Sequence, residues 1–341
     1  MANSIALFQK YIALLDEVYK LSSLSGDLDG DSTLVRQGAN TNEIIIPKLS
    51  MDGLADYSRN GGYVRGDVSL EFETVKFNYD RGRQFVVDAM DDEETAGLAF
   101  GRLASEFLRT RVVPELDAFR FATYAGVDGI SGAQGTLTDG ESVLAALLDA
   151  VNRMDEDEVP QEQRLLYITP TLHNLIYAID SYKSKEVLAG FSKTVKVPQT
   201  RFYTAIDLKN GTSAGETAGG FMKSPLRYEK CQASDEGALK VVEDSATPAA
   251  GEIKLSEVTP VADPTYTPAA GDYVKAAAGK EINFMIIHKP AILQYQKHVV
   301  SRPFTPSEQW VSDGWIYNYR AYGLADVYEN KLAGIYCHSK A

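Results

Sequence analysis

Residues 80–92 read Asp-Arg-Gly-Arg-Gln-Phe-Val-Val-Asp-Ala-Met-Asp-Asp, and one kind of structure gives way to another there. Before them, from Glu43 to Asp88, apolar residues recur with the period of two that a strand imposes. Ile44–Ile46 and Leu49 form one run, and the turn signal Asn60-Gly61-Gly62 follows. Val68, Leu70 and Phe72 then alternate with Ser69, Glu71 and Glu73. After a one-residue slip near Thr74 the apolar positions are Val75, Phe77 and Tyr79. The pattern predicts a long two-stranded ribbon with its tip near residues 59–66. Such a ribbon is marginal in water by itself, so it calls for a partner surface.

On the other side of the quoted stretch a helix is predicted over Asp91–Thr123. Asp91, Asp92, Glu93 and Glu94 suit the positive end of its dipole. One apolar stripe runs Ala96, Phe100, Leu103, Phe107 and another Ala104, Leu108, Val112. Pro114 is expected to remove a backbone hydrogen bond and bend the helix. Gly126, Gly129, Gly132 and Gly135 end it in a loop.

Further out, residues 1–24 have the spacing of an amphipathic helix, with Ile5, Phe8, Ile12, Leu15 and Tyr19 on one side. Gly26–Asn42 is a polar connector with no core of its own. Downstream, Thr138-x-x-Glu141 fits a capping box for a helix at 141–156. Leu165–Ile168 reads as a buried strand, Pro170–Ile179 as a helix and Val195–Ala205 as extended chain. Residues 208–280 are rich in Gly, Ala, Thr and Pro, which predicts a loop-rich, strand-containing excursion from the surface. Ile282–His338 is strand-rich and aromatic.

Composition narrows the function. The 341 residues carry 34 Lys and Arg against 47 Asp and Glu, a net charge of −13. That charge opposes binding to phosphate backbones or anionic membranes. Cys231 and Cys337 are too few for a disulfide scaffold or a zinc site. The start lacks the pattern of a secretory leader, and no apolar run approaches the roughly 18 residues of a membrane span. A soluble protein made in a reducing compartment is expected.

Catalytic chemistry is hard to assemble from these residues. His173, His288, His298 and His338 have no metal-pair spacing, and His173 falls on the polar side of its helix. Asp27, Asp29 and Asp31 imitate a calcium loop, but Ser32 and Gly38 stand where Gly and Glu are needed. No nucleophile elbow, phosphate loop or dinucleotide fingerprint occurs. Cys337 and His338 are strand neighbours and point to opposite faces. Asp91–Glu94 is a charged helix start. No catalytic, cofactor-binding or metal-binding residue is assigned, and the chain is expected not to be an enzyme.

The order of these elements resembles the major capsid proteins of tailed bacteriophages, with the Hong Kong 97-type fold. The resemblance rests on Asp80–Asp92, Val112–Tyr124 and Asn283–His338, with Ile168-Thr169-Pro170 after a strand and Glu329-Asn330-Lys331-Leu332-Ala333 near the end. It implies an α+β chain with an N-terminal arm (1–46), an extended β-ribbon loop (47–87) and a peripheral domain with a spine helix (88–129 and 291–329). It also implies an axial domain (130–290 and 330–341) carrying an insertion at about 215–280. The implied function is a coat protein that self-assembles, as hexamers and pentamers, into the icosahedral head shell of a double-stranded DNA phage.

The implied partners are further copies of the chain, a separate scaffolding protein, a portal and a decoration protein. DNA would be enclosed without sequence-specific contact and no membrane would be involved. The implied location is the virion, assembled in the cytoplasm of a host bacterium. Arg59, Arg65, Glu71, Glu73, Arg81, Arg83, Asp88, Asp91 and Asp92 are the expected subunit-interface residues. Two alternatives stand beside this: a bacterial nanocompartment shell of the same fold, and a sugar-binding surface protein or enzyme that uses the aromatic C-terminus as a stacking platform.

Overall fold

The computed structural model describes residues 23–30, 36–37, 43–57, 59, 63–89, 98–179, 182–235, 237–260, 266–305, 307 and 314–341. The helices expected at residues 1–24 and from Asp91 therefore lie wholly or partly outside the described residues. The chain divides into two units, Met1–Arg109 with Ile292–Tyr328, and Thr110–Ala291 with Glu329–Ala341. Helices and several sheets make it an α+β protein.

The first unit is organised by a long antiparallel pair, Ile292–Phe304 (β15) and Gly314–Val327 (β16), with Tyr79–Asp88 (β4) on the free side of β16. Alternation of aromatic residues gives β16 one apolar face. Tyr317 and Tyr319 on that face, with Phe85 of β4, receive Phe107 at the end of the helix Leu98–Phe107 (α1). The Phe85 and Phe107 rings meet edge to face at 4.8 Å, the geometry aromatic quadrupoles favour.

A second sheet of this unit is the ribbon. Glu43–Met51 (β2) pairs antiparallel with Val68–Lys76 (β3), and the short Arg36–Gln37 (β1) borders β2. The register runs from Glu43 opposite Lys76 to Met51 opposite Val68 without interruption. The expected slip at Thr74 is therefore corrected: the irregularity falls at Phe77 and Asn78. Asn78 donates to the Ala325 carbonyl at 2.7 Å and accepts from the Ala325 N–H at 3.1 Å. This pair of hydrogen bonds holds the chain where it passes from the ribbon into β4. The ribbon base is apolar and packed: Ile44, Leu293 and Leu324 are buried together, with Ile46, Val75, Phe77, Tyr295 and Tyr328 around them.

In the second unit, Ser131–Gln134 (β5), Arg164–Ile168 (β6), Lys193–Lys196 (β7), Ile282–His288 (β14) and Ile335–Ser339 (β17) form a sheet in the order β5-β17-β14-β6-β7. β14 and β6 are almost wholly buried and lack polar alternation, as strands covered on both faces should. Gly140–Glu156 (α3) and Pro170–Ile179 (α4) supply one cover, placing Val143, Leu147, Met154, Leu172 and Ile176 against Leu166, Ile168, Phe284 and Ile286. Tyr182–Ala189 (α5) follows α4.

Four local expectations for this unit change. The capping box of α3 uses Asp139 and Ser142 in place of Thr138 and Glu141, because the Asp139 carboxylate accepts the Ser142 N–H at 2.8 Å. Pro114 sits in the first turn of Val113–Ala125 (α2), after a π turn at Leu108–Val112. A missing N–H costs nothing there. The segment after Val195 turns into a 3₁₀ turn, Gln199–Arg201, instead of staying extended. His173 is buried, stacked on Tyr177 at 5.4 Å, because the polar side of α4 is covered at that turn.

The Gly- and Pro-rich region holds two small sheets. Ile206–Leu208 (β8) pairs with Phe221–Lys223 (β9). Arg227–Cys231 (β10), Leu239–Val242 (β11), Glu252–Lys254 (β12) and Tyr273–Ala277 (β13) form a sheet in the order β10-β13-β11-β12. The four-stranded sheet has its own core of Val241, Ile253, Val258 and Val274. A core of that kind was not apparent in the sequence, because each strand contributes only one or two apolar residues.

Candidate assembly surface

The outer half of the ribbon differs from its base. Val68, Leu70 and Phe72 share one face of β3 and are 56–64% exposed, and Met51, opposite Val68, is 65% exposed. Leu54, Tyr57, Tyr63 and Val64 at the tip are exposed as well. The other face is polar, with Ser50 opposite Ser69 and Lys48 opposite Glu71. Apolar residues would thus alternate with polar ones as in a half-buried sheet, but the face they form is open. Burying about 25 cal/mol per Å² would favour covering it, and a run of large exposed apolar residues marks an interaction surface.

The tip is shaped by short-range bonds. Asp67 N–H donates to the Asp52 carboxylate at 2.8 Å, and Asp52 N–H donates to the Asp67 carbonyl at 3.1 Å. Beyond this closure Tyr57 and Tyr63 pack at 4.9 Å and a concavity of about 400 Å³ opens, lined by Asp52, Leu54, Tyr57, Tyr63, Val64 and Arg65.

The expected interface charges fall into three places. Arg59 and Arg65 are exposed at the tip, and Glu71 is exposed on the polar face of β3. Glu73 lies in the same strand, opposite Ile46. Arg81, Arg83 and Asp88 belong to β4, opposite Ala321, Tyr319 and Gly314; Arg81 is half-buried and the other two are exposed. Asp91 and Asp92 lie outside the described residues. The ribbon and β4 therefore carry separate groups of these residues.

Two cross-strand contacts beside them have no signature in the sequence. Arg320 of β16 holds Asp80 of β4 through two bonds, Nε to Oδ1 at 2.9 Å and a terminal guanidinium nitrogen to Oδ2 at 2.6 Å. The guanidinium keeps the Asp80 carboxyl below the usual carboxylate range. Gln84 donates to Asn318 Oδ1 at 2.8 Å, directly across the same pair of strands.

Burial pushes the Cys337 thiol up to about 12, which makes it a poor nucleophile at neutral pH. Among the described residues no group of three His, Cys, Asp or Glu side chains could hold a metal ion. No helix among them is long and apolar enough to cross a membrane.

Several solved chains to which this one is similar come from phages, some of them from capsid structures. One, from the capsid structure of cyanophage P-SCSP1u, is 12% identical with a TM-score of 0.49, the match covering 90% of this chain and 85% of that one. A chain from Mycobacterium phage Che8 is 14% identical with a TM-score of 0.46, over 87% and 84%. A virus-like particle from Pyrococcus furiosus is 10% identical with a TM-score of 0.48, over 97% and 99%. No family model matches the sequence, and no curated protein matches it.

Proposed function

We propose that the chain is the major capsid protein of a tailed double-stranded DNA bacteriophage, with a structural and not an enzymatic role. The observation that carries this is the open apolar face of the ribbon, Met51, Val68, Leu70 and Phe72, on a ribbon that is packed at its base through the opposite face by Ile44 and Val75. A strand pair built for burial on one side, and uncovered within its own chain, is completed when repeated copies supply the cover. The order of ribbon, helix, long strand pair and mixed sheet agrees with the Hong Kong 97-type arrangement that the sequence resembles.

On this reading the ribbon is the extended loop that lies over a neighbouring copy. The β15-β16-β4 sheet with α1 belongs to the peripheral domain, and the five-stranded sheet belongs to the axial domain. Arg59, Arg65, Glu71, Glu73, Arg81, Arg83, Asp88, Asp91 and Asp92 contribute charged contacts between copies. Hexamers and pentamers close the shell in the host cytoplasm, with a separate scaffolding protein and a portal, and a decoration protein binds outside. The charge of −13 keeps the wall from gripping the packed genome.

Expression of the full chain with its neighbouring gene products, followed by negative-stain microscopy, tests the reading. Closed shells that fill with DNA in the presence of a packaging machinery support it. Shells that enclose protein cargo and never DNA would assign the chain to a nanocompartment, and the absence of any shell would remove both.

A further inference from the structure

We propose that His338, Asn283 and the Gly135 carbonyl form an acid-sensitive latch that holds the edge strand β5 on the five-stranded sheet. His338 is 5% exposed on β17 and Asn283 is 2% exposed on β14. The Asn283 Nδ2 atom lies 2.9 Å from the Gly135 carbonyl oxygen and 3.0 Å from His338 Nδ1. A carbonyl oxygen only accepts, so the amide must face it with its NH2 group, which fixes the side chain's orientation. One hydrogen of that group goes to Gly135 and the other to His338, whose Nδ1 must then be the acceptor. The ring is neutral, with its proton on Nε2.

Protonation breaks this arrangement. An N–H at Nδ1 would point at the Asn283 NH2 group, setting donor against donor. Rotating the amide by half a turn lets Oδ1 accept from the imidazolium, but then Oδ1 faces the Gly135 oxygen and that bond is lost. The first outcome leaves a buried donor–donor clash and the second takes the buried donor from the Gly135 carbonyl, so either way the cluster that ties Gly135 to the sheet is weakened. Gly135 otherwise holds to β17 through its own N–H, which donates to the Ser339 carbonyl at 3.0 Å. It terminates β5, an edge strand of four residues paired only with β17. A short edge strand is where local opening costs least.

The surroundings offer the imidazolium no compensation. Phe284 of β14 stacks on the ring at 5.0 Å, and burial holds the His338 pKa below its ordinary value. The charged groups on the flanking elements are engaged elsewhere. Before β14, Lys280 donates to Gln134 at 2.6 Å, and Glu281 accepts from Lys340, which follows β17. From the helices that cover the sheet, Asp139 caps α3, burial together with Asp149 raises the Tyr336 pKa, and burial lowers that of His173 on α4.

The test is hydrogen–deuterium exchange by mass spectrometry on the full chain between pH 7 and pH 5, corrected for intrinsic rates and read on residues 131–136. Between the ordinary histidine pKa and the lowered one, opening should rise about tenfold per pH unit, one proton being taken up. The His338→Asn variant, whose Oδ1 can take the place of Nδ1, should keep the segment closed across the range. Exchange of the imidazole carbon-bound hydrogen in the unmodified chain gives the His338 midpoint independently, should the variant fail to fold. A midpoint below 6.5 that coincides with β5 opening supports the latch. A midpoint at or above that value, a segment equally protected at both pH values, or acid opening undiminished in His338→Asn would overturn it.

Discussion

Arg320 on β16 grips Asp80 on β4 with a two-pronged bond, although 240 residues separate them in sequence. The two strands put Tyr322 directly opposite Asp80 and Gly82 opposite Arg320, so the pair spans the ladder diagonally over a glycine. A side chain at that glycine would be cramped, because a Cβ there would lie 2.9 Å from the Tyr319 carbonyl oxygen.

Both partners are about half exposed, and an exposed pair contributes little. Asp80→Asn is expected to lower the melting temperature by no more than about 3 °C. The folded Asp80 pKa is depressed, so its stabilisation is present above the ordinary carboxylate value of about 3.9 and is lost as pH falls through the lower folded value. The difference in melting temperature between the two proteins should therefore be full at pH 7 and shrink as pH falls below about 3.9.

Arg164 is a different case. Its side chain is 2% exposed; Nε donates to the Pro160 carbonyl at 3.0 Å, and one terminal nitrogen reaches Asp155 at 2.7 Å and the Val159 carbonyl. Arg164→Ala leaves two carbonyls and a carboxylate without this donor, so a loss of about 3–5 kcal/mol is expected by denaturant unfolding. A loss below about 1 kcal/mol would mean that the network does not hold the start of β6.

Tyr266 in the small four-stranded unit donates to Asp272 at 3.1 Å, and burial with this carboxylate raises its pKa to about 12. A raised acid pKa stabilises the protonated fold, so this contribution is whole below about 10 and is lost as pH climbs towards 12. The ultraviolet difference titration between the native chain and Tyr266→Phe should show one tyrosine ionising near pH 12. A midpoint near 10 would contradict the packing of Tyr266.

The chain leaves for the four-stranded sheet and returns at adjacent points, since Gly279 N–H donates to the Ser224 carbonyl at 3.0 Å. With its own core, the intervening segment is expected to be separable. Replacement of residues 226–277 by two glycines should leave a soluble protein with cooperative unfolding. Insoluble expression would show that the segment supports the rest of its unit.

What was readable in the sequence was the local and periodic part. The alternation of Val68, Leu70 and Phe72 against Ser69 and Glu71 gave β3, and the unbroken apolar run Phe284–Ile287 lies in the buried β14. The same pattern asks for burial that two strands cannot supply, and Val68, Leu70 and Phe72 are exposed within the chain. The Asp80–Arg320 pair and the His338–Asn283–Gly135 cluster were invisible, since register brings together residues far apart and no short motif encodes it. The π turn before Pro114 has no composition of its own, and Asp139 displaced Thr138 as the cap because a carboxylate is the stronger acceptor at a helix start.

Covalent welding between copies is not expected. Residues 52–66 at the ribbon tip contain no lysine, and the arginines there stay protonated and cannot attack an amide. The side-chain amide of Asn318 on β16 already accepts a bond from Gln84. Mature particles, boiled and reduced, should run as a single band near the chain mass of 37.4 kDa. A ladder of larger bands would contradict this.

On the proposed function, the ribbon's apolar face is completed by another copy. The direct measurement is sedimentation velocity with electron microscopy on the full chain and on the Leu70→Asp/Phe72→Asp variant. Both positions are exposed within the chain, so circular dichroism and the melting temperature of the unassembled variant should match those of the unassembled native chain. Closed shells are expected from the native chain and only small, folded species from the variant. Native chain that stays a folded monomer at high concentration, or variant that assembles as readily as the native chain, would contradict it.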